Sequence, residues 1–165
     1  MITLAVMAVL GTVATPSVTA MLDRHRLQAA AHDLQADIAL ARQESERRGQ
    51  PVTLRFQTGS LWCYSVSTGP AVDCRQPTLT PGSQLIKRVR ASDQAGIALL
   101  RADAMVLDPR AGPRIDTLAS GQARFASRGG LQLQVRLGPQ GGASVCAPAA
   151  PVPGNPRCQA EPSGS

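Results

Sequence analysis

Leu40-Ala41-Arg42-Gln43-Glu44-Ser45-Glu46-Arg47-Arg48-Gly49-Gln50-Pro51-Val52-Thr53-Leu54 is the stretch in which one kind of structure gives way to another. Its first nine residues are typical of a helix, because opposite charges recur four positions apart, as in Arg42 and Glu46. Gly49 followed by Pro51 is a strong signal that a helix ends. From Val52 onward apolar and polar residues alternate, which is typical of a strand. The sequence therefore predicts a helix before Gly49 and β structure after Pro51.

The segment before this boundary, residues 23–50, has the pattern of an amphipathic helix. Apolar residues recur in alternating steps of four and three, so they share one face of a helix, while charged residues lie off that face. The stripe consists of Leu27, Ala31, Leu34, Ile38 and Ala41. Together with the residues before it, this segment predicts one continuous helix that begins near the N-terminus and ends at Gly49.

Residues 1–22 contain no charged side chain and are predicted to form a transmembrane half of the same helix. At 1.5 Å per residue such a helix spans roughly 33 Å, about the thickness of a bilayer's hydrocarbon core. Pro16 interrupts the hydrogen-bond ladder and should kink or loosen the helix. A secretory signal peptide is the alternative, since the stretch at 13–15 resembles a cleavage site, but the usual basic segment does not precede the apolar run.

Four cysteines lie in two close pairs, Cys63 with Cys74 and Cys146 with Cys158. Four cysteines allow three connectivities, of which pairing each with its near neighbour closes two short loops. The spacing is not that of a zinc site, and we interpret the cysteines as two disulfides formed in an oxidising compartment.

Arg24 and Arg26 follow the apolar segment directly. Positive charge beside a membrane helix usually stays in the cytoplasm, so these arginines alone would place the C-terminal part of the chain inside the cell. The disulfides would place it outside. We give the cysteines more weight and predict that the C-terminal part lies outside the cytoplasm.

Residues 51–138 are predicted to form a β-rich globular head. Gly and Pro together account for 28 of 165 residues, which favours a turn-rich β domain. Strands are predicted at 52–56, 61–66, 84–90, 97–100, 105–107, 122–126 and 131–137, with Leu85 and Ile86 facing the core. Residues 139–165 form a Pro/Gly-rich tail that only a Cys146–Cys158 clamp would order. The predicted fold class is α+β, a long N-terminal helix followed by an antiparallel β-sandwich-like head.

The net charge of +6 lies entirely in residues 51–165, which carry twelve Lys or Arg and six Asp or Glu. Such a surface attracts nucleic acid, anionic lipid or acidic protein. No nucleophile, metal-binding or phosphate-binding motif occurs in the sequence. His25 and His32 lie roughly 10.5 Å apart along the predicted helix, too far to share a metal without a third element. The sequence thus favours binding surfaces, and it predicts no catalytic residue, metal site or cofactor.

The run from Met1 to Pro16 resembles the transmembrane part of type IV pilins and type II secretion pseudopilins, in which a helix-loosening proline lies where Pro16 lies here. In that family a leader ending in Gly precedes Phe-Thr-Leu-Ile-Glu, and we expect this segment upstream of Met1. The stretch 40–54 quoted above resembles the GspH/FimT branch, whose helix ends with similar Ala-Arg, Glu and Arg-Gly residues before the first strand.

The resemblance implies a structural subunit without enzymatic activity. It implies a minor pseudopilin or minor pilin that is anchored in the bacterial inner membrane by its helix, has its head in the periplasm, and has other pilins or pseudopilins as partners. Two alternatives are a DNA-binding minor pilin for natural transformation and a periplasmic β domain with a cleaved signal.

Some pilus members of this branch bind DNA through a Gly-Arg-x-Arg motif near a C-terminal cysteine. The matching stretch here is Gly154-Asn155-Pro156-Arg157 before Cys158, in which only Gly154 and Arg157 agree. The resemblance therefore implies that DNA binding would rest on Gly154 and Arg157, with contributions from Arg136, Arg128 or Arg124.

Overall fold

The computed structural model of the chain describes residues 2–76, 81–110, 112–115 and 121–159. Within these residues one long helix precedes nine strands. The helix α1 spans Ile2–Arg48, and the strands are β1 (Val52–Gln57), β2 (Cys63–Thr68), β3 (Gln84–Arg90), β4 (Ile97–Ala102), β5 (Met105–Asp108), β6 (Gly112–Ile115), β7 (Gln122–Ser127), β8 (Gln132–Leu137) and β9 (Ala143–Cys146). This order, helix first and strands afterwards, confirms the prediction from the sequence.

Helix α1 ends at Arg48 because Gly49 takes up a left-handed conformation, with a φ of 62°. Glycine adopts this conformation without steric strain, and the chain can then leave the helix in a new direction. In the last turn Arg47 and Arg48 donate hydrogen bonds of 2.8 and 2.6 Å to the Glu44 carboxylate, and these contacts lower the pKa of Glu44. Both arginines also place positive charge at the negative end of the helix dipole.

The strands form two antiparallel sheets. The first sheet has the order β3-β2-β1-β5-β6, and the second sheet has the order β4-β7-β8-β9. β1 and β2 form a hairpin in which Val52 lies opposite Thr68. β7 and β8 form a second hairpin, with Phe125 opposite Leu133. The predicted α+β class and the antiparallel pairing are both confirmed.

The hydrophobic core lies between α1 and the two sheets, because the helix contacts strands of both. The apolar stripe predicted from the sequence is fully buried, at 0% exposure for Leu27, Ala31, Leu34, Ile38 and Ala41. Burial of one leucine side chain contributes about 1.5–3 kcal/mol to folding. The stripe shares its core with Leu54, Val66, Met105, Leu133 and Val135 of the strands. One helical face thus holds the two sheets together.

The four aromatic residues of the chain form one cluster where the two sheets meet. Trp62 stacks on Tyr64 with 6.5 Å between ring centroids, and its ring meets Phe125 edge-on at 5.7 Å. Phe56 completes the cluster at 5.6 Å from Tyr64. The indole Nε1 of Trp62 donates a 2.7 Å hydrogen bond to the backbone oxygen of Ile97 on β4. Trp62 therefore joins the first sheet to the second.

Strand β2 is buried on both of its faces. Ser65 and Ser67 lie on the outer face, and the segment 69–76, the cover loop, passes over them. Ser65 Oγ donates to the backbone oxygen of Val72, and the Val72 N–H donates to Ser67 Oγ at 3.3 Å. The Cys63–Cys74 disulfide fastens the cover loop to the strand. The serine hydroxyls thereby supply hydrogen bonds to loop backbone that would otherwise be buried without partners.

The structure differs from the prediction in several strands. β2 begins at Cys63, two residues later than predicted, because Leu61 is 76% exposed in the turn before it. β6 was not predicted. β9 was not predicted either, and it pairs with β8, so the second sheet extends into the segment that was interpreted as a tail. A register shift in the pairing of β2 with β3 places Leu85 opposite Ser67, on the outer side of the sheet, so the prediction that Leu85 faces the core is wrong.

Candidate functional site

Helix α1 extends beyond the head at its N-terminal end. Its inward face is buried over residues 27–45, whereas residues 18–26 are exposed or half-buried on all sides. The side chains of Val18, Met21 and Leu22 are 56%, 55% and 48% exposed. Large apolar side chains grouped in this way mark a surface that another molecule covers.

The predicted transmembrane segment, residues 1–22, belongs to α1 from Ile2 onward, and its side chains are described for residues 18–22. In the described part of the chain, no helix is both long enough and apolar enough to cross a membrane. Pro16 lies within the helix, and its predicted loosening of the helix stays a prediction, as does the membrane-spanning role of 1–22.

A buried carboxylate joins α1 to the first sheet. Asp37 is 3% exposed, accepts a 2.7 Å hydrogen bond from the Tyr64 hydroxyl, and accepts a second bond of 2.6 Å from the Lys87 ammonium. Burial of the ring and then the negative charge of Asp37 raise the pKa of Tyr64, so the phenol remains a donor. Asp37 was not identified from the sequence, although its position three residues after Leu34 and four before Ala41 places it on the buried stripe.

Two loops of the head meet α1 where the helix emerges, and together they form the base of the head. The first is the β7–β8 turn, in which Gly129 lies so close to the helix that a Cβ there would be 3.7 Å from the Asp23 carboxylate. The second loop contacts the helix at Gln28. The Gln28 side-chain amide donates a 2.9 Å hydrogen bond to the backbone oxygen of Pro153 in this loop. An open groove of about 410 Å³ runs between the helix and these loops, and it is lined by Ala20, Met21, Arg24, Leu131 and Pro153.

The second of these loops, residues 147–157, is the clamp loop, and the Cys146–Cys158 disulfide closes it. The prediction of two disulfides is confirmed, and of the three possible connectivities the structure has the one that joins near neighbours, here and at Cys63–Cys74. More than the disulfide orders this loop, because Val152 is 1% exposed within the core and Ala147 pairs with Arg157 as an isolated β-bridge.

The residues predicted to bind DNA lie on four segments, and one of these is β7, which carries Arg124. Arg128 is exposed in the β7–β8 turn, Arg136 lies on β8, and Gly154 and Arg157 are exposed on the clamp loop. The Arg136 guanidinium donates a 2.8 Å hydrogen bond to the backbone oxygen of Gln159, so the end of the clamp loop reaches β8. Gln132, where β8 begins, lies roughly 13 Å from Arg136 along the strand, and Arg128 lies beyond it in the turn. The structure thus brings Arg136 near the clamp loop but leaves Arg128 at the base of the head.

Polar side chains cover the outer face of the second sheet. Arg124 donates hydrogen bonds of 3.0 and 3.3 Å to Gln134, whose amide donates a 2.8 Å bond to Gln122. Arg101 lies opposite Arg124, and Arg136 lies opposite Gln122, in the registers of the neighbouring strands. Residues opposite each other in an antiparallel pair point to the same side. Arg101, Arg124 and Arg136 therefore share one surface, the basic face.

The histidines and several acidic residues have roles in local structure. His25 and His32 are exposed, as predicted, and His32 lies 3.2 Å from the Gln35 side-chain oxygen. Asp73 and Asp108 each accept a hydrogen bond from the backbone N–H two residues later, at 2.8 and 2.9 Å, which stabilises a turn. Among the residues that the structure describes, no three His, Cys, Asp or Glu side chains are grouped closely enough to hold a metal ion.

Comparisons with known proteins agree with this architecture. The solved structure of the type IV minor pilin FimU from Pseudomonas aeruginosa strain PAO1 is similar, with a TM-score of 0.53 and 14% sequence identity over 82% of this chain and 98% of the FimU chain. At this identity the likeness shows the fold, which is pilin-like. No curated protein sequence matches the chain. The model of the family described as type II transport protein GspH matches residues 30–145. Because this match covers well over half of the 165 residues, the chain belongs to the GspH family.

Proposed function

We propose that this protein is a minor pseudopilin or minor pilin, a structural subunit of a type II secretion pseudopilus or a type IV pilus. The observation that carries the proposal is the exposed apolar segment of α1 at Val18, Met21 and Leu22, which continues toward the stripe that is buried in the head. An exposed apolar helical surface is stabilised by packing against another helix. Other pilins or pseudopilins of the same filament are the partners that present such helices.

Under this proposal the N-terminal half of α1 serves in two surroundings. Residues 1–22 carry no charge, so they suit the hydrocarbon of the inner membrane, where they anchor the subunit in a single pass before assembly. After assembly the same residues pack among neighbouring helices. Both surroundings exclude water, and the same apolar side chains are therefore favourable in each.

The two disulfides support a periplasmic position for the head. Disulfides persist in oxidising compartments such as the bacterial periplasm, and cytosolic thiols are kept reduced. Both bridges lie in the head, at Cys63–Cys74 and Cys146–Cys158. Filament assembly, with protein secretion or pilus formation as its outcome, is the role we propose, and it depends on surfaces with no need of catalytic groups.

Site-specific photo-crosslinking in the native host tests the helix partner. A photoreactive amino acid in place of Met21 should give adducts with other pilins or pseudopilins, because that side chain is 55% exposed beyond the head. Leu61 is the matched control, since it is apolar and 76% exposed but lies on the head. Equal adducts from both positions, or none from position 21, would contradict the proposal.

Deletion of the gene distinguishes the two filament systems. Loss of exported proteins from the medium, restored by the wild-type gene, would assign the subunit to a secretion pseudopilus. Loss of surface pili or of pilus-dependent motility would assign it to a type IV pilus. If secretion and piliation both persist unchanged, the chain is not a required subunit of either filament.

A second candidate function, DNA binding in natural transformation, is favoured by the basic face. Its three arginines would bind phosphates, and removing one of these charges should lower the salt dependence of binding by about one unit of slope. We expect Arg101→Gln on this face and Arg157→Gln on the clamp loop to weaken binding to duplex DNA and to flatten its salt dependence. Arg55→Gln is the control, because Arg55 is exposed on the first sheet. If Arg55→Gln weakens binding equally, the attraction is one of net charge alone.

A further inference from the structure

Three arginines surround α1 where it leaves the head, and we name them the basic collar: Arg24, Arg26 and Arg128. Arg24 and Arg26 follow Leu22, the last residue of the uncharged run, by about 3 and 6 Å along the helix axis. Arg128 lies in the β7–β8 turn, which touches the helix at Asp23. Arg26 and Arg128 are exposed, and Arg24 is half-buried beside the groove at the base.

The arginines at the two ends of the helix differ in their partners. Near the C-terminal end of α1, Arg42, Arg47 and Arg48 each form an ion pair with a glutamate, at 2.6–3.0 Å. Within the described part of the chain, no carboxylate lies within ion-pair distance of a collar arginine. The only acidic residue in the helix between Leu22 and Leu27 is Asp23. The collar therefore has positive charge available for an anion outside the protein.

The groove beside Arg24 indicates what kind of anion fits. Its walls carry the apolar side chains of Met21, Leu131 and Pro153, so a cation and apolar carbon lie next to each other. A free phosphate ion has no apolar group that could pack against these walls. A phospholipid has a charged headgroup joined to hydrocarbon, and its two parts match the two kinds of lining.

We propose that the basic collar binds the anionic headgroups of the membrane in which residues 1–22 are anchored. This inference rests on the proposed membrane anchoring of α1. Binding at the collar presses the base of the head against the bilayer surface and orients the subunit before it joins a filament. It also gives a function to Arg24 and Arg26, whose positive charge lies on the side of the membrane opposite to the usual one.

The test uses the full chain in lipid nanodiscs that contain phosphatidylcholine and phosphatidylglycerol in equal amounts. Native mass spectrometry then measures the ratio of the two lipids that stay on the protein. Each arginine near an anionic surface favours binding by about fivefold. We expect wild-type protein to retain phosphatidylglycerol preferentially, and we expect this preference to fall by about fivefold or more in the collar variant Arg24→Gln/Arg26→Gln/Arg128→Gln.

A control variant removes the same charge from exposed arginines away from the base, Arg47→Gln/Arg55→Gln/Arg110→Gln, and it should keep the wild-type preference. Equal loss in both variants, or no preference in the wild type, would overturn the collar proposal.

Flotation with vesicles of phosphatidylcholine alone tests the membrane anchoring of α1 separately. A chain that does not float with neutral vesicles would overturn the membrane anchoring, and the collar proposal with it. A chain that floats but shows no lipid preference would overturn the collar alone.

Discussion

Asp37 on α1 and Tyr64 on β2 are joined by a 2.7 Å hydrogen bond in which the phenol donates to a carboxylate that is 3% exposed. Lys87 on β3 approaches the other carboxylate oxygen from a partly exposed position, at 2.6 Å. One acidic side chain therefore ties the helix to two strands of the first sheet. A buried carboxylate is costly unless such partners satisfy it, and the three groups should act as a unit.

Stability should fall at alkaline pH through Tyr64. Its pKa is raised in the folded protein by burial and by Asp37, while in the unfolded chain it is about 10. The folded state therefore holds the phenolic proton more tightly, and this contribution is fully present below about pH 10 and is lost as the pH rises beyond it. Near-ultraviolet absorbance of tyrosinate, from the only tyrosine, should appear together with the loss of circular dichroism. The variant Tyr64→Phe keeps the ion pair between Asp37 and Lys87 but has no phenol to titrate, so its stability should depend less steeply on pH. Tyrosinate that forms in the wild-type protein while it is still folded would contradict the prediction.

Asp37→Ala should destabilise the head by about 1–3 kcal/mol, because it leaves the Tyr64 hydroxyl buried without an acceptor and Lys87 without its counter-charge. Urea denaturation followed by circular dichroism measures the change. Asp33→Ala is the matched control one turn earlier on the same helix, where an exposed carboxylate accepts a 2.8 Å bond from Gln94. Its cost should stay below about 1 kcal/mol. Equal losses of stability in the two variants would show that the buried contacts of Asp37 contribute no more than the exposed hydrogen bond of Asp33.

Gly69→Ala should be much more destabilising than Gly82→Ala. Both glycines are left-handed, at φ values of 67° and 85°, so alanine costs about 1–2 kcal/mol at either position. A Cβ at Gly69 would also lie 2.5 Å from the backbone oxygen of Gly82, whereas a Cβ at Gly82 meets no atom within 4 Å. The collision should add about 1–3 kcal/mol. Thermal unfolding of the two variants gives the comparison, and similar melting temperatures would show that the two segments do not approach closely.

The two disulfides should protect different segments of the chain. Replacing both cysteines of either pair by alanine should cost about 2–4 kcal/mol, because the bridges close loops of similar length, with sequence separations of 11 and 12. Hydrogen exchange should rise at the cover loop when Cys63–Cys74 is removed. It should rise at the clamp loop when Cys146–Cys158 is removed. The same peptides losing protection in both variants would indicate that the loops unfold together.

The parts of this fold that could be predicted are those that local pattern determines. The stripe from Leu27 to Ala41 has helical spacing, Gly49 and Pro51 end the helix, and β7 and β8 alternate regularly. β6 begins with Gly112 and Pro113, which are typical of a turn, and it forms because β5 supplies its hydrogen bonds. β9 is a four-residue strand at the edge of the second sheet, within a composition that suggests a loop.

The candidate sites were harder to predict, because they depend on groups that are distant in sequence. Asp37 finds its partners on β2 and β3, and Ser65 and Ser67 are buried only because a later loop covers them. Arg24 was identified as a charge beside an apolar run. Its position next to Leu131 required the fold, since Leu131 follows Arg24 by 107 positions in the sequence. Composition and spacing predict the helices and strands. Tertiary contacts determine which side chains of those helices and strands come together in a site.

The position of Trp62 makes the head's integrity visible to fluorescence without any label. It is the only tryptophan, and it lies in the joint between the two sheets, held by the backbone oxygen of Ile97. If the sheets part, water reaches the indole and its emission moves to longer wavelength. Under the proposed anchoring, lipid would cover the exposed end of α1 without reaching the indole, which is 2% exposed in the folded head, so the emission should stay unchanged. The fluorescence of Trp62 thus reports unfolding of the head and distinguishes it from the proposed insertion of α1 into a membrane.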